Sequence, residues 1–159
     1  MDLERALNAF HSMKLSQLTP PCSQMPIVEE NSPIVDVLKL LRTRHHVWVV
    51  NNKREMKLVG LIRYLDVIDI FLPPKQARFG AVSSVFKSIL GGAEKAGDIM
   101  ERNFLTINED ATVLEALEKM KKYKVQILAL IDQEGKLKGE ISLRILINEF
   151  LRLVRVGGG

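Results

Sequence analysis

Four side chains that can carry positive charge precede an apolar run in this 159-residue chain. They are Arg42, Arg44, His45 and His46, and the run begins at Val47. Cations at the end of a helix favour the negative end of its dipole, and the same cations could contact a phosphate. Two adjacent histidines do not predict a metal site, because no third ligand lies at a useful spacing. Two interpretations of the cluster stay open: a polar helix end, or phosphate contact by at least one of the four.

A second charged pair, Arg63 and Asp66, follows the apolar segment that ends at Ile62. Asp66 suits the first turn of a helix, where a carboxylate favours the helix dipole. Arg63 could neutralise a phosphate or pair with a surface acid. The sequence holds no nucleophile–base pair, no metal-ligand cluster and no G-x-x-x-x-G-K-S/T phosphate loop. We therefore expect binding without catalysis, and expect that the chain is not an enzyme.

The composition, 47% hydrophobic and 26% charged, is that of a globular protein. A single cysteine, Cys22, excludes an internal disulfide and a Cys-based zinc site. No apolar run approaches the ~18 residues of a membrane span, and the charged start lacks the apolar region of a signal peptide. We expect a cytoplasmic protein. The net charge of +4 mildly favours anionic partners.

The chain repeats itself at a constant spacing. The segments that begin at Val28 and Ile107 are similar, and so are those around Gly60 and Gly139; the offset is 79 in both cases. An offset that is kept over such a stretch indicates two copies of one unit.

Each copy predicts the order β-α-β-β-α. Pro33, after Ser32, is predicted at the first position of a helix. Thr112 and Glu115 predict a capping box, in which each side chain satisfies a free backbone N–H. The predicted strands are 25–28, 47–50 and 58–62 in copy one and 104–107, 127–131 and 137–142 in copy two; the second helix of each copy lies near 64–72 and 143–155.

The flanks predict two further helices. Leu3, Leu7 and Phe10 recur at helical spacing, and apolar residues recur similarly within 78–90. The helix at 78–90 could pack across the two copies, or it could bind a partner or a second chain. The predicted organisation is a leading helix at 1–14, a first unit at 15–72, a linker with the amphipathic helix at 73–95, a second unit at 96–155 and a disordered tail at 156–159.

Both copies resemble a CBS domain, the regulatory module named after cystathionine β-synthase. In copy two, Asp98-Ile99-Met100 resembles the opening D-I-M of the family, and Leu130 to Ser142 resembles its V-V-D-x-x-G-x-x-x-G-x-I-S/T pattern. Copy one is similar through Glu30 to Leu41, Val47 to Asn51, and Gly60-Leu61-Ile62 with Asp66. The resemblance covers most of the chain outside the leading helix and residues 73–95. It predicts a tandem CBS pair, or Bateman module, in a stand-alone CBS domain-containing protein.

The resemblance implies an α+β (mixed α/β) fold in which two pseudo-symmetric units pack sheet to sheet. It also implies a regulatory module whose clefts bind an adenosine-containing ligand: AMP, ADP, ATP or S-adenosylmethionine. No other cofactor is required. A homodimer and an unidentified regulated protein are the implied partners. In the family pattern G-x-I/V-T/S-x-x-D, the hydroxyl contacts phosphate or ribose and the aspartate accepts hydrogen bonds from both ribose hydroxyls.

Each copy departs from that pattern at a different position. Copy one keeps Asp66 but has Arg63 in place of the hydroxyl residue, and copy two keeps Ser142 but has Ile145 in place of the acid. We expect one competent site around Asp66 and a second cleft that is empty or weak. Met25 and Ile27 would line the adenine, and Thr106 would border the second cleft. The candidate ligand-binding residues are Asp66, Arg63, His45, His46, Arg44, Met25, Ile27, Val47, Thr106 and Ser142.

Two other functions stay open at this point. The incomplete motif in copy two is compatible with a dimerising interaction scaffold that binds no ligand. The positive net charge suggests nucleic-acid binding. Against it, the chain has few aromatic residues and no motif for nucleic-acid recognition. The lysines near the end of the first helix of copy two suit a solvated helix face better than a nucleic-acid patch. They are Lys119, Lys121, Lys122 and Lys124.

Overall fold

The computed structural model describes residues 2–72 and 95–157. Within them the order β-α-β-β-α occurs twice, which confirms the mixed α/β fold class. The predicted helix at 78–90 and the end of the predicted tail lie outside the described residues. The strands are β1 (Ile27–Glu29), β2 (His46–Val50), β3 (Leu58–Arg63), β4 (Thr106–Asn108), β5 (Ile127–Ile131) and β6 (Leu137–Ser142). The helices are α1 (Leu3–Ser12), α2 (Ile34–Leu41), α3 (Val67–Phe71), α4 (Ala96–Ile99), α5 (Val113–Tyr123) and α6 (Leu143–Gly157), with short 3-10 turns at Leu15–Gln17, Cys22–Gln24 and Tyr64–Asp66.

The two sheets have the same topology. The first strand of each is parallel to the second, and the second is antiparallel to the third. His46 lies opposite Arg63 in the first sheet, and Ile127 lies opposite Ser142 in the second. The starts of the first two strands and the end of the third therefore meet at one end of each sheet.

The chain divides into two compact units that do not coincide with the repeats. One unit is residues 26–104, and the other combines residues 1–25 with 105–159. We call them the first-repeat unit and the second-repeat unit, after the sheet that each contains. Each unit joins the sheet of one repeat to the opening segment of the other repeat, residues 96–104 or 15–25.

In the first-repeat unit, the opening segment of the second repeat is held by backbone hydrogen bonds. Ala96 N donates to Ser32 O at 2.8 Å, and Gly97 N donates to Glu30 O at 2.9 Å. Buried backbone groups need such partners, because leaving them unsatisfied is costly. The turn between β1 and α2 is thereby paired with residues far along the chain.

The second-repeat unit has the same contacts at equivalent positions. Leu15 N donates to Ala111 O at 2.9 Å, and Ser16 N donates to Glu109 O at 3.1 Å. The opening segment of each repeat thus pairs with the turn before the first helix of the other repeat.

Two equivalent glycines let these segments approach the sheets. A Cβ on Gly60 would lie 2.8 Å from Met100 Cβ, and a Cβ on Gly139 would lie 2.7 Å from Thr19 Cβ. Neither position has room for a side chain. The glycine of the G-x-I motif is therefore required by packing in both units.

Each unit has its own apolar core between its sheet and its helices. Helix α1 belongs to the core of the second-repeat unit, where the Phe10 and Phe150 ring centroids are 5.3 Å apart. The predicted leading helix is confirmed, but Ala6 and Phe10 are its buried residues, whereas Leu3 and Leu7 are exposed. The buried core residues of the first-repeat unit are Val28, Val37, Leu41, Val47, Val49, Ile62, Ala96 and Met100. Those of the second-repeat unit are Phe10, Leu15, Ile107, Ala111, Val113, Ala116, Met120, Leu128, Leu130, Ile141 and Leu146.

The predicted start of α2 is wrong by one position. Pro33 is the N-cap residue and the helix begins at Ile34. The Ser32 hydroxyl oxygen accepts a hydrogen bond from Glu29 N, so it serves the preceding turn and does not cap the helix. The first strands also begin two residues later than predicted, at Ile27 and Thr106.

The predicted capping box at α5 is only half present. Thr112 Oγ1 accepts from Glu115 N at 3.3 Å, which confirms Thr112 as the cap. The Glu115 carboxylate instead lies 3.4 Å from the Thr112 hydroxyl.

The spacing between repeats changes within the unit. Ile27 pairs with Trp48, and Thr106 pairs with Ala129, so the offset rises from 79 at the first strand to 81 at the second. It returns to 79 at the third strand, where Gly60 matches Gly139. Helix α5 is longer than α2, and a shorter hairpin in the second repeat restores the register.

Both hairpins are closed by one side-chain oxygen at the same position. Asp132 Oδ1 accepts from the backbone N of Glu134 and of Lys136, at 2.9 and 3.0 Å. These donors, chiefly the backbone N–H of Lys136, lower the pKa of Asp132 below its ordinary value. In the longer first hairpin, Asn51 Oδ1 accepts from Lys57 N at 3.0 Å.

Among the described residues, no helix combines the length and apolarity needed to cross a bilayer.

Gly60→Ala should lower the free energy of unfolding by about 1–3 kcal/mol, because the new methyl overlaps Met100. Met100 is buried, and Met100→Ala alone should lower it by about 2–5 kcal/mol. The double variant should lose clearly less than the two losses added together, because the smaller residue 100 makes room for the methyl. Urea denaturation of the four proteins measures this coupling, and additive losses would contradict the packing role of Gly60.

Asp132→Asn should reduce the loss of stability at acid pH. The lowered pKa of Asp132 means that its carboxylate stabilises the fold above the pKa of the unfolded chain. That contribution disappears as the pH falls through the lower folded-state pKa. Asparagine keeps the accepting oxygen, as Asn51 does in the other hairpin, but does not titrate. Urea denaturation from pH 7 to pH 3 should show a steeper decline for the natural protein, and parallel declines would refute the assignment.

Candidate ligand-binding site

Charged and aromatic side chains collect at one end of the first sheet. His46 at the start of β2 lies opposite Arg63 at the end of β3. Ile27, at the start of β1, pairs with Trp48 on the neighbouring strand. We call this region the His46–Arg63 end. It arises because β1 and β2 begin where β3 stops.

Asp66 caps the turn that follows β3. Its Oδ2 accepts a hydrogen bond from the backbone N of Arg63 at 2.8 Å. This is the acidic half of a capping box, and it confirms the structural role that the sequence allows for Asp66. A carboxylate has two oxygens and about four acceptor positions, so one such bond leaves acceptor capacity for a ligand hydroxyl. Asp66 is half-buried and Arg63 is exposed.

His45 and Tyr64 lie side by side at this end. The backbone N of Tyr64 donates to His45 O at 2.8 Å, and the two rings meet edge to face with centroids 5.8 Å apart. Both side chains are exposed. Sequence reasoning missed Tyr64, although its place directly after Arg63 was a usable signal. The ring supplies an apolar surface beside the Arg63 and Asp66 charges.

The neighbouring pair, His46 and Trp48, is more enclosed. Their rings meet edge to face with centroids 5.4 Å apart. Trp48 is buried and His46 is half-buried. Arg44 is exposed in the connection before β2, where its backbone N donates to Leu40 O at 3.1 Å. The cations before β2 thus lie next to the end of β3.

Val47 lies in the core of the first-repeat unit. Its side chain is fully buried among the apolar residues of that core. Only its backbone could therefore contribute to a ligand site. Ile27 is half-buried, so its side chain is partly accessible, as the residue expected to line the adenine must be.

The other three predicted residues belong to the second-repeat unit. Met25 is buried at the end of a 3-10 turn. Thr106 starts β4, and its carbonyl accepts a hydrogen bond from the Lys119 ammonium. Lys119 is therefore folded onto the edge of the second sheet, a contact that the lysine-rich sequence did not reveal.

In the second repeat, Ser142 forms the hydroxyl half of the equivalent capping box, which is the half that is missing in the first repeat. Its Oγ accepts from Ile145 N at 3.1 Å, at the start of α6. A hydroxyl that accepts a bond can still donate its proton. The T/S-x-x-D pattern is thus a capping box: the first repeat keeps its acid, and the second keeps its hydroxyl.

The His46–Arg63 end carries the kinds of group that recognise an anion with hydroxyl groups. Arg63, Arg44 and His45 are exposed donors, and Asp66 is an acceptor beside them. Across residues 2–72 and 95–157, no three potential metal-ligating side chains come together. The arrangement suits recognition of a polar small molecule through charge and hydrogen bonds.

Comparison with known proteins identifies the repeated unit. The family model of the CBS domain matches residues 15–73 and 96–152. Inosine-5'-monophosphate dehydrogenase of Bacillus subtilis (strain 168) is 31% identical over 97 residues, which are 60% of this chain and 16% of that enzyme. The chain thus spans a small part of that relative.

Solved structures show the same fold at low sequence identity. A CBS domain-containing protein from Bacillus anthracis str. Ames Ancestor has a TM-score of 0.70 and 15% identity, with 92% of this chain and 98% of that chain covered. The CBS-pair protein CBSX2 from Arabidopsis thaliana has a TM-score of 0.69 and 18% identity, with 91% and 98% covered. A structure of CBSX2 in complex with AMP has a TM-score of 0.68 and 17% identity, with 89% and 98% covered. From the two matched segments and the shared fold, this chain belongs to the CBS domain family and carries a tandem CBS pair.

Proposed function

We propose that the chain is a regulatory module that binds an adenosine-containing ligand at the His46–Arg63 end of the first sheet. The ligand class is AMP, ADP, ATP or S-adenosylmethionine. The observation that carries the proposal is that Asp66 binds the backbone N of Arg63 at the end of β3, which pairs with the start of β2 next to His45. The AMP complex of the structurally similar CBSX2 supports the ligand class.

Each side chain has a distinct part in this proposal. The Asp66 oxygen that is not used for Arg63 N accepts hydrogen bonds from the ribose hydroxyls, because a charged acceptor binds a vicinal diol strongly. Arg63, Arg44 and His45 contact phosphate. Tyr64 and Ile27 provide apolar surface for the base. All of these roles concern binding and release of the ligand. The module therefore signals to a partner whether the ligand is bound, and it does not catalyse a reaction.

The second-repeat unit is proposed to bind ligand weakly or not at all. Ser142 supplies a hydroxyl at the end of β6, but Ile145 occupies the position equivalent to Asp66. Without the carboxylate, the ribose hydroxyls lose their charged acceptor. The pair is therefore asymmetric, with one principal site.

We also propose a cytoplasmic homodimer that signals to a separate regulated protein. The repeated architecture and the exposed apolar surface of α3 and α6 support a second copy as partner.

A dimerising scaffold without ligand is the second candidate function. The observation that favours it is the division of the capping box: Asp66 and Ser142 each already hold a helix start. If helix capping were their whole role, neither unit would need a ligand.

A thermal-shift screen separates the two functions. AMP, ADP, ATP and S-adenosylmethionine are tested on the natural protein, on Asp66→Ala and on the matched control Ser142→Ala. A ligand at ~100 times its Kd should add about 2.7 kcal/mol of stability, which raises the Tm by several degrees. We expect the shift to persist in Ser142→Ala and to disappear in Asp66→Ala, each compared with its own ligand-free Tm. A shift that survives in Asp66→Ala places the ligand elsewhere, and no shift in the natural protein favours the scaffold.

The capping role of Asp66 is measured without ligand. Asp66→Ala should lower the free energy of unfolding by about 0.5–2 kcal/mol, because Arg63 N loses its acceptor. Asp66→Asn keeps an oxygen at that position and should lose much less. Equal losses in the two variants would show that the accepted hydrogen bond is not what Asp66 contributes to stability.

A further inference from the structure

The two repeats place different side chains at one equivalent position of their first helices. Leu40 in α2 and Lys119 in α5 match at the repeat offset of 79. Leu40 packs against the apolar core of the first-repeat unit. The Lys119 ammonium instead donates a hydrogen bond to the carbonyl of Thr106, at the start of β4. The second repeat thus has a charged hydrogen-bond donor where the first has an apolar side chain.

The carbonyl that Lys119 binds lies on the outer edge of the second sheet. Strand β4 is an edge strand, and Leu105 O accepts a hydrogen bond from Ala129 N of β5 at 3.3 Å. Because successive carbonyls along a strand point to opposite sides, Thr106 O points away from β5. Lys119 is half-buried, and its flexible stem brings the ammonium to this carbonyl. An acceptor that an edge strand would otherwise present to a ligand is therefore bound within the chain.

The first sheet presents the equivalent carbonyl without a donor at position 40. Ile27 matches Thr106 at the offset of 79. Strand β1 is an edge strand, and Pro26 O accepts from Trp48 N at 2.8 Å, so Ile27 O points away from β2. The side chain of Leu40 has no hydrogen-bond donor to offer it. The two sheets thus differ at the residue that lines the adenine in the proposed site.

We propose that Lys119 prevents adenosine-containing ligands from binding at the second sheet, because its ammonium occupies Thr106 O. The amino group of adenine is a hydrogen-bond donor and needs an acceptor. An ammonium has three donors and no acceptor, so a base that approaches Thr106 meets a donor in place of a free acceptor. This inference rests on the proposed function and deepens it. Lys119 is a second obstacle to ligand in this unit, in addition to Ile145 at the position of the acid.

Restoring the missing carboxylate isolates the effect of Lys119. Three versions of the chain all carry Asp66→Ala, which removes the proposed first site, and Ile145→Asp, which supplies the acid in the second repeat. One of them adds Lys119→Met, and another adds the matched control Lys121→Met, at an exposed lysine of the same helix. Isothermal titration with AMP should give a Kd about tenfold lower after Lys119→Met, because the base no longer competes with a charge-assisted hydrogen bond. Lys121→Met should leave the Kd unchanged.

Two results of this titration overturn the proposal. Equal behaviour with and without Lys119, including no binding by any of the three proteins, would show that Lys119 is not the obstacle. Weaker binding after Lys119→Met would make Lys119 a contact of the ligand. Failure of the first site is a separate result, because the thermal-shift comparison of the natural protein with Asp66→Ala measures it without any change in the second repeat.

Lysine acetylation tests the same contact in the natural protein, so it does not depend on whether Ile145→Asp folds. Limiting acetic anhydride reacts fastest with accessible lysines, and mass spectrometry gives the rate at each position. Lys119 should react several times more slowly than Lys121, because its ammonium is held by Thr106 O. Saturating AMP should leave that ratio unchanged, since the ligand does not displace the ammonium. Equal rates without AMP, or faster acetylation of Lys119 with AMP, would contradict the proposal.

Discussion

The close packing of a chain segment against a strand glycine is the constraint on which both units depend. In the opening segment of each repeat, the side chain of Met100 or Thr19 packs against a glycine of the other repeat's third strand, and backbone hydrogen bonds hold the segment to the turn before that repeat's first helix. Because a side chain at Gly60 or Gly139 would overlap that segment, each glycine fixes where the third strand can lie. The third strand in turn sets the end of the sheet, and the candidate ligand-binding residues lie at that end.

The same local motif serves folding and binding. In the first repeat Asp66 satisfies the backbone of Arg63, and in the second Ser142 satisfies the backbone of Ile145. Either half of the capping box, the hydroxyl or the carboxylate, is enough to start a helix. Both helices therefore form although neither repeat keeps the full T/S-x-x-D pattern. Ligand recognition has a stricter requirement, since a neutral hydroxyl accepts hydrogen bonds from a diol more weakly than a carboxylate does, and Ser142 lies at the position of Arg63 and not of Asp66. Loss of one half can therefore leave the fold intact and still alter which unit is suited to a ligand.

Periodicity and capping chemistry were sufficient to predict most elements. The strands at 127–131 and 137–142 have the predicted bounds, and Thr112 caps its helix, because these features depend on residues close in sequence. Ser32 did not cap α2, since Glu29 N competed for its hydroxyl. The contact of His45 with Tyr64 depends on strand register, and that of Lys119 with Thr106 depends on how α5 packs. Neither follows from a local pattern, and nor does the packing of each repeat's opening segment in the unit of the other repeat. The ligand-binding roles inferred for the ten candidate residues remain predictions.

The make-up of the two units has a consequence for synthesis on the ribosome. Residues 26–104 form one unit from a continuous stretch, so all of it has been synthesised before the other sheet begins. The second unit needs segments from both sides of that stretch. Its helix α1 is made before the stretch, but the partner of Phe10, Phe150, is made after it. In topological terms the middle of the chain is an inserted domain. The order of folding can then differ from the order of synthesis. The inserted domain can be complete while helix α1, which is made earlier, still lacks the residues that form its core.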